Sequence, residues 1–156
     1  MHPRAVELIR TLELSPHPEG GHYRRVYESA KQVEANGVLR PAITSIDFLL
    51  TPGAGSRWHR VDAAEVWDWQ EGSAIELQMY DATARVLSRV QLDTSVRGGQ
   101  LLQVVPAGIW QSARTYGEYS LVSCSVSPGF MWSGLEMLDE LSPLASELHA
   151  AGGMQR

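Results

Sequence analysis

The sequence predicts an all-β barrel or sandwich with a short helix at each end. From position 41 onward, short apolar or alternating runs recur between Gly, Pro, Asp and Ser residues. Several short strands with breaks of this kind are typical of sandwiches and barrels. Helical patterns do not alternate with the runs, so a parallel α/β fold is not expected. The predicted strands are residues 42–50, 65–70, 74–81, 85–92, 101–105, 119–126 and 130–138.

Each end of the chain has a helical pattern. Near the start, apolar residues recur at helical spacing, and these are Ala5, Leu8, Ile9 and Leu12. Pro3 stands where a missing N–H costs a helix little. The helix should end before Pro16, because residues that precede proline avoid the α region. Residues 143–151 predict a second helix that ends at glycine, and we expect the residues after Gly152 to fray.

One domain accounts for the whole chain. A chain of 156 residues with 44% hydrophobic and 20% charged residues is close to an average globular domain. We divide it into an N-terminal helix and arm over residues 3–29, a barrel over about 40–138, and the C-terminal helix over 143–151. The arm includes a candidate strand at residues 22–29, which follows a flexible Gly-Gly turn.

Composition and charge argue against several functional classes. The net charge is −5 and the basic residues are scattered, whereas nucleic-acid binders usually carry a basic patch. No apolar stretch approaches the ~20 residues that span a bilayer. The first residues also lack a secretory apolar region, so we expect a cytoplasmic protein that binds neither nucleic acid nor membranes. The one cysteine, Cys124, cannot form an intrachain disulfide, and we interpret it as a small core residue.

The predicted strands mix polar and aromatic residues on one face. In strand 65–70, Glu65, Trp67 and Trp69 share a face. A barrel that holds a ligand would place such a mixture in its lumen. An ordinary sandwich with a polar outer face explains part of the pattern too, so the alternation leaves both interpretations open.

Two motifs carry the candidate chemistry. The segment 53–72 contains His59 and Glu65 and resembles the first motif of the cupin superfamily, G-x5-H-x-H-x3-E-x6-G. Every fixed position fits except the second histidine, where Val61 stands. Residues 106–111 resemble part of the second cupin motif, with P-x-G kept and Gln111 at the position of its histidine.

Four longer blocks resemble one cupin subfamily, cupin family five, the predicted sugar-epimerase-like cupins first classed as a domain of unknown function. They are HPEGGHYRRVYES (17–29), SRWHRVDAAEVW (56–67), PAGIWQSA (106–113) and SVSPGFMWSGLEML (125–138). The blocks cover most of the chain in the right order. The resemblance implies a double-stranded β-helix, which is a jelly-roll barrel, and a homodimer. Val61 and Gln111 are typical of this subfamily.

In a typical cupin, as the resemblance implies, three histidines and one glutamate bind a divalent metal ion. This chain offers His59, Glu65 and Gln111 as metal ligands. Val61 cannot bind a metal, and an amide oxygen is a weaker ligand than imidazole for zinc-like ions. A firmly held divalent ion is therefore not expected, although a metal-dependent cupin enzyme with these three ligands stays open as one hypothesis.

The candidate catalytic residues are His59 and Glu65. Histidine is a natural general base near neutral pH, and Glu65 stands at the motif position that points into the barrel. Aromatic faces can stack on sugars or nucleotides, although packing in the core is the simpler interpretation for any one ring. Arginine suits phosphate or carboxylate groups. The candidate substrate-binding residues are Gln111, Tyr23, Arg25, Trp67, Trp69, Tyr80, Trp110 and Phe130.

Three functions are compatible with these residues. The first is an epimerase or isomerase of a carbonyl-bearing sugar or nucleotide sugar, in which His59 removes a proton and a tyrosine returns one. Tyr23, Tyr80 and Tyr119 are candidates for that tyrosine, and the sequence does not choose among them. The second is a non-catalytic barrel that binds a sugar or nucleotide, and the third is the metal-dependent enzyme. His17 and Glu19 are interpreted as turn-shaping residues.

Overall fold

Antiparallel strands form most of the protein. The computed structural model describes residues 1–155, in which helix α1 covers Pro3–Thr11 and helix α2 covers Pro143–Ala150. The strands of this part of the chain are β1 Ser15–Pro16, β2 His22–Glu28, β3 Gln32–Ala35, β4 Val38–Pro41, β5 Thr44–Leu50, β6 Ser56–Val61, β7 Ala64–Gly72, β8 Ile75–Asp81, β9 Val86–Leu92, β10 Leu102–Val105, β11 Trp110–Thr115, β12 Ser120–Ser127 and β13 Leu135–Met137.

Two sheets enclose the core. The six-stranded sheet has the order β1-β2-β5-β12-β7-β10, and the five-stranded sheet has the order β13-β6-β11-β8-β9. Strands β3 and β4 form a separate hairpin. Buried residues of both sheets meet in one cluster, which includes Phe48 and Trp67 from the larger sheet and Ile75 and Leu77 from the smaller. The predicted jelly-roll barrel with short terminal helices is therefore confirmed.

Both helices begin and end as their sequences indicate. Proline occupies the first turn of each helix. The Ser142 hydroxyl also accepts a hydrogen bond from the Ala145 amide at the start of α2 (3.1 Å), which satisfies one of the free N–H groups there. Helix α1 ends well before Pro16, as expected.

The helices cover the outer faces of the two sheets. Ala5 and Leu8 of α1 pack against Leu49 and other apolar residues of the six-stranded sheet. On the other side, Leu148 of α2 packs with a cluster whose buried aromatic members are Trp58, Tyr80 and Trp110. Apolar residues on one face of a strand therefore pack in the lumen, and those on the other face pack against a helix.

The sequence patterns missed five strands, namely β1, β3, β4, β6 and β11, and misjudged one run. Strands β6 and β11 carry the motif residues, and their polar side chains interrupt the apolar alternation that reveals a strand. The run 130–138 was predicted as one strand. It contains instead a 3₁₀ turn at Trp132–Gly134 followed by the short strand β13.

The C-terminal segment is held in place as far as Met154. Its amide donates to Gln78 Oε1 (2.8 Å), and its carbonyl accepts from Trp58 Nε1 (2.9 Å). The expectation that the chain frays after Gly152 is wrong for Met154, because its backbone groups satisfy two buried polar side chains.

Neither helix of residues 1–155 is long and apolar enough to cross a membrane.

An ion pair between a buried arginine of β4 and the 37% exposed Asp62 ties this strand to two loops near one end of the barrel. The Arg40 side chain is 2% exposed, and its two terminal nitrogens each donate to an Asp62 oxygen at 3.0 Å. Arg40 Nε donates to the Gly129 carbonyl at 2.7 Å. Removal of one partner of such a pair leaves a buried charge without compensation.

We expect Asp62→Ala to lower the free energy of unfolding by about 3 kcal/mol, because Arg40 would then be buried without its counterion. The exposed pair of Arg60 Nε and Glu136 Oε2, at 2.6 Å, is the matched control. Glu136→Ala should cost less than about 1 kcal/mol, since exposed pairs contribute little. Urea denaturation measures both. Equal losses in the two variants would contradict this assignment.

Candidate functional site

A cavity of about 350 Å³ lies between the six-stranded sheet and the segment that precedes β2. Side chains on the inward face of the sheet form its wall, and they alternate along each strand. Tyr23 and Arg25 of β2 line the cavity, and each lies opposite a residue of β5 that also lines it, namely Phe48 and Ile46. Cys124 of β12 continues the row from Ile46.

Glu19 enters the cavity wall from the turn between β1 and β2. Its amide donates to His17 Nδ1 (3.1 Å), and its carbonyl accepts from the Arg57 amide of β6 (2.8 Å). Gly21 has φ +71°, and a Cβ there would lie 2.4 Å from Phe48 and 2.7 Å from the Leu49 carbonyl. Only glycine therefore allows this turn to approach β5 closely enough to direct Glu19 inward.

Glu19 contacts His59 at the base of the cavity. Glu19 Oε2 lies 3.3 Å from His59 Nε2, and Glu19 Oε1 accepts from the Ser56 hydroxyl at 2.9 Å. His59 Nδ1 lies 2.7 Å from the Arg57 carbonyl. Because a carbonyl only accepts, Nδ1 carries a proton, and Nε2 of the neutral ring is left as an acceptor.

Burial shifts the pKa values of these two groups in opposite directions. Burial raises the pKa of Glu19 to about 8, against the smaller effects of the Ser56 hydrogen bond and the Arg57 charge. Burial lowers the pKa of His59, opposed by Glu65 and by the Arg57 carbonyl. At neutral pH both groups are uncharged, so the Glu19 carboxyl proton donates to His59 Nε2 and the contact is a neutral hydrogen bond.

Glu65 is the second buried carboxyl group of the cavity. Burial and, to a smaller extent, the nearby Glu19 raise its pKa to about 7, against the opposing effects of His59 and of hydrogen bonds. Trp67 Nε1 also donates to Gln111 Oε1 (2.8 Å). Glu65 therefore changes its charge near neutral pH, where proton transfer is most useful.

His17 completes the group of titratable residues. Burial and, to a smaller extent, the electrostatic influence of His59 lower the pKa of His17 to about 4. Its ring packs edge-on against Tyr23 at 4.4 Å and lies 5.6 Å from both Phe48 and Trp132. This histidine is thus a neutral member of an aromatic wall at neutral pH.

The structure brings together the three residues on which the sequence analysis depends. Gln111 of β11 lies opposite His59 of β6 in the register, and Gln111 hydrogen-bonds Glu65. Glu65 lines the cavity together with the predicted residues Tyr23, Arg25 and Phe130. His59 and Gln111 are each 1% exposed, and Trp67 is fully buried. These three lie behind the cavity wall and are not among the residues that line it.

Three other predicted substrate-binding residues lie away from the cavity. Tyr80 and Trp110 pack under α2 on the outer face of the barrel, and the Tyr80 hydroxyl donates to Glu147 at 2.5 Å. The Trp69 indole donates to the Ser73 carbonyl at 3.1 Å. Tyr80 and Trp110 thus lie on an outer face, and Trp69 packs against the core of the lumen away from the cavity. The alternation of apolar and polar residues along a strand does not reveal these differences.

Glu19 is a site residue that the sequence patterns did not reveal, since together with His17 it was interpreted as turn-shaping. The sequence patterns also gave no role to Trp132, which is 51% exposed and lines the cavity. The sequence does contain a signal for Glu19, which stands between Pro18 and the glycine pair. A tight turn fixes the direction of the side chain that it carries.

The side chains present do not fit a metal ion. No group of three or more His, Cys, Asp or Glu residues within 1–155 is arranged to hold one. His59 uses Nδ1 on the Arg57 carbonyl and Nε2 on Glu19, and Gln111 Oε1 accepts from Trp67. A metal at His59, Glu65 and Gln111 would have to break these bonds.

The double-sheet barrel and its motif residues define the class of protein, which is a cupin. The family model described as "Cupin superfamily (DUF985)", Cupin_5, matches residues 6–138, and the chain belongs to this family. The resemblance to cupin family five is therefore confirmed. Comparison with the curated proteins returns no match.

Solved structures show the same fold. A hypothetical protein from Leishmania major is 33% identical with a TM-score of 0.84, and the match covers 94% of each chain. A protein from Shewanella oneidensis is 31% identical with a TM-score of 0.83, covering 94% of this chain and 91% of that one. A dTDP sugar isomerase from Desulfovibrio desulfuricans is 15% identical with a TM-score of 0.55, covering 78% and 86%. The last similarity extends to the fold alone.

The raised pKa of Glu19 makes the stability of the protein depend on pH. In the unfolded chain Glu19 loses its proton near pH 4.5, whereas in the folded protein it keeps the proton until about pH 8. The unfolded state thus binds fewer protons within that interval, and the stabilising contribution of Glu19, complete below pH 4.5, is lost as the pH rises toward 8.

We expect Glu19→Gln to gain stability relative to the wild type as the pH rises from 5 to 8. The gain should exceed about 1 kcal/mol, because one pKa unit corresponds to about 1.4 kcal/mol. Urea denaturation at a series of pH values measures it, with the exposed Glu28→Gln as the control for loss of a carboxylate. A constant difference between Glu19→Gln and the wild type over this range would show that Glu19 ionises normally.

Proposed function

We propose that this cupin binds a small carbonyl-bearing molecule of sugar type and epimerises or isomerises it by proton transfer. The observation that carries the proposal is the pair of buried carboxyl groups, Glu19 and Glu65, which line one cavity and have pKa values of about 8 and 7. Two titratable groups whose surroundings shift their pKa values close to neutral pH are typical of acid–base sites.

Glu65 is the proposed general base. It has the lower pKa of the two carboxyl groups, so at neutral pH it supplies a carboxylate to the cavity. The hydrogen bond from Gln111, whose Oε1 is in turn held by Trp67 Nε1 at 2.8 Å, orients Glu65 and stabilises this charged form. A base with a pKa close to the working pH combines a useful population of the reactive form with a strong driving force for taking up a proton.

His59 is assigned a positioning role in place of the general-base role suggested by its motif. It is 1% exposed and does not line the cavity. Its Nε2 accepts a hydrogen bond from the protonated Glu19 carboxyl, and its Nδ1 donates to the Arg57 carbonyl. His59 therefore keeps Glu19 protonated and oriented, which leaves Glu65 as the carboxylate of the pair.

Tyr23 is the proposed residue that returns the proton on the other face of the substrate. The alternatives have partners outside the barrel, since the Tyr80 hydroxyl bonds Glu147 and the Tyr119 hydroxyl bonds Glu71. Tyr23 lies on β2 and Glu65 on β7, with β5 and β12 between them. Three strand spacings are roughly 14 Å along the sheet, which leaves room for a small molecule between the two side chains.

A non-catalytic binding barrel is the second candidate. It is favoured by the contacts of Glu19, whose two oxygens are already engaged by Ser56 and His59. In that case the buried carboxyl groups would serve as hydrogen-bond partners for a ligand that is bound and released unchanged.

Solvent deuterium exchange separates the two candidates. A panel of sugars with aldehyde or ketone groups is first screened by thermal shift, and each stabilising sugar is then followed by NMR in deuterated water. We expect deuterium to enter at the carbon beside the carbonyl. Glu65→Gln should slow this exchange by about 10²–10⁴-fold, because it removes the base without changing the shape of the side chain.

Tyr23→Phe should reduce product formation more than exchange, because proton removal by Glu65 would continue. Tyr119→Phe is the matched control and should leave both rates unchanged. A sugar that stabilises the protein but shows no exchange with the wild type would favour the binding barrel. Full exchange in Glu65→Gln would remove this residue from the base role.

A further inference from the structure

We propose that Arg25 forms an anion-binding subsite at the mouth of the cavity, so that the natural ligand carries a phosphate or carboxylate group. The inference rests on the proposed function only in taking the cavity as the place where the ligand binds. It extends that function by naming the chemical class of the ligand, a small anionic sugar or sugar acid.

Arg25 faces the lumen although it is exposed. It stands two residues after Tyr23 on β2, and side chains two apart lie on the same face of a strand. It pairs with Ile46 of β5, and both residues line the cavity. The sheet thus presents a guanidinium group to the same space that Glu65 and Tyr23 line.

The positive charge of Arg25 has no counterion within residues 1–155. The side chain forms no ion pair and no hydrogen bond with any of these residues. Its neighbour Arg24 differs, because Arg24 Nη1 lies 3.0 Å from Glu13 Oε2 and 3.4 Å from the Leu12 carbonyl. The sequence places two arginines side by side, and the structure neutralises one of them.

The carboxyl groups that line the cavity are engaged elsewhere, Glu13 among them through its pair with Arg24. Glu19 contacts Ser56 and His59, and Glu65 is hydrogen-bonded by Gln111 and Trp67. An arginine that lines a concave site without a counterion attracts anions. Its planar group of five N–H donors matches the oxygens of phosphate or carboxylate in pairs.

The size and lining of the cavity restrict the rest of the ligand. A volume of about 350 Å³ lies at the lower end of the ~300–1,000 Å³ common for small-molecule sites. Trp132 lines the mouth with 51% of its surface exposed, and its ring packs at 5.1 Å against Phe130. An exposed ring of this kind suits the apolar face of a sugar. The ligand body is therefore about the size of one sugar ring, with its anionic group at Arg25.

The test uses inorganic phosphate and acetate as probes of the two anion classes, each titrated into the full-length protein and followed by NMR shifts of backbone amides. We expect phosphate, acetate or both to shift the amides of β2 and of residues 130–132 with saturation. Arg25→Ala should weaken the binding of the effective probe at least tenfold. The probe that binds more tightly identifies the anion class.

Two variants control for the loss of a positive charge. Arg10→Ala removes an exposed arginine of α1 that does not line the cavity, and it should bind the probe as the wild type does. Arg24→Ala should weaken binding less than Arg25→Ala, because Glu13 already neutralises Arg24. Equal binding by Arg25→Ala and the wild type, or no saturable binding of either probe to the wild type, would overturn the proposal.

Glu65→Gln separates this inference from the proposed chemistry. It should retain the affinity for the probe, because the anion binds at β2 and not at β7. If Arg25→Ala loses anion binding while no sugar phosphate or sugar acid shows exchange with the wild type, the subsite stands and the enzymatic proposal fails. The reverse result, exchange that depends on Glu65 with unchanged anion binding in Arg25→Ala, would leave the chemistry and reject the subsite.

Discussion

The neutral hydrogen bond between Glu19 and His59 is the constraint from which the rest of the site follows. Both groups are buried, and burial disfavours the charged form of each. Sharing one proton avoids the cost of an isolated buried charge. It also leaves Glu65 as the carboxyl group that ionises near neutral pH. The metal-binding alternative conflicts with this contact, because a metal would need the same nitrogen of His59.

The fold supports this contact from both sides. The Gly-Gly turn places Glu19 against β6, where the Arg57 amide holds its backbone. The two helices cover the outer faces of the sheets, so the aromatic residues of those faces stabilise the barrel without entering the lumen. One end of the lumen is filled by the core around Trp67, and the other end is open as the cavity. The polar site thus lies on a buried apolar cluster.

Sequence patterns predicted the fold and part of the site. The motif spacing correctly placed His59, Glu65 and Gln111 next to each other, because neighbouring strands of a barrel bring fixed positions together. It could not tell which of them reaches the cavity, since that depends on how deeply each side chain is buried. The role of Glu19 was hidden because a turn, not a periodic strand, sets its direction. Tyr80 and Trp110 were assigned to the ligand site, but they pack against α2, which is distant from them in the sequence.

Direct titration of the glutamate side chains tests the central claim. Carbon-13 NMR of the labelled carboxyl groups gives one titration curve per glutamate, and the Glu19→Gln and Glu65→Gln variants assign the two curves of interest. Glu19 should titrate near pH 8 and Glu65 near pH 7, well above the value of about 4.3 for an ordinary glutamate. If both groups titrate below pH 5, the cavity holds two ordinary carboxylates, and the acid–base account of this cupin is wrong.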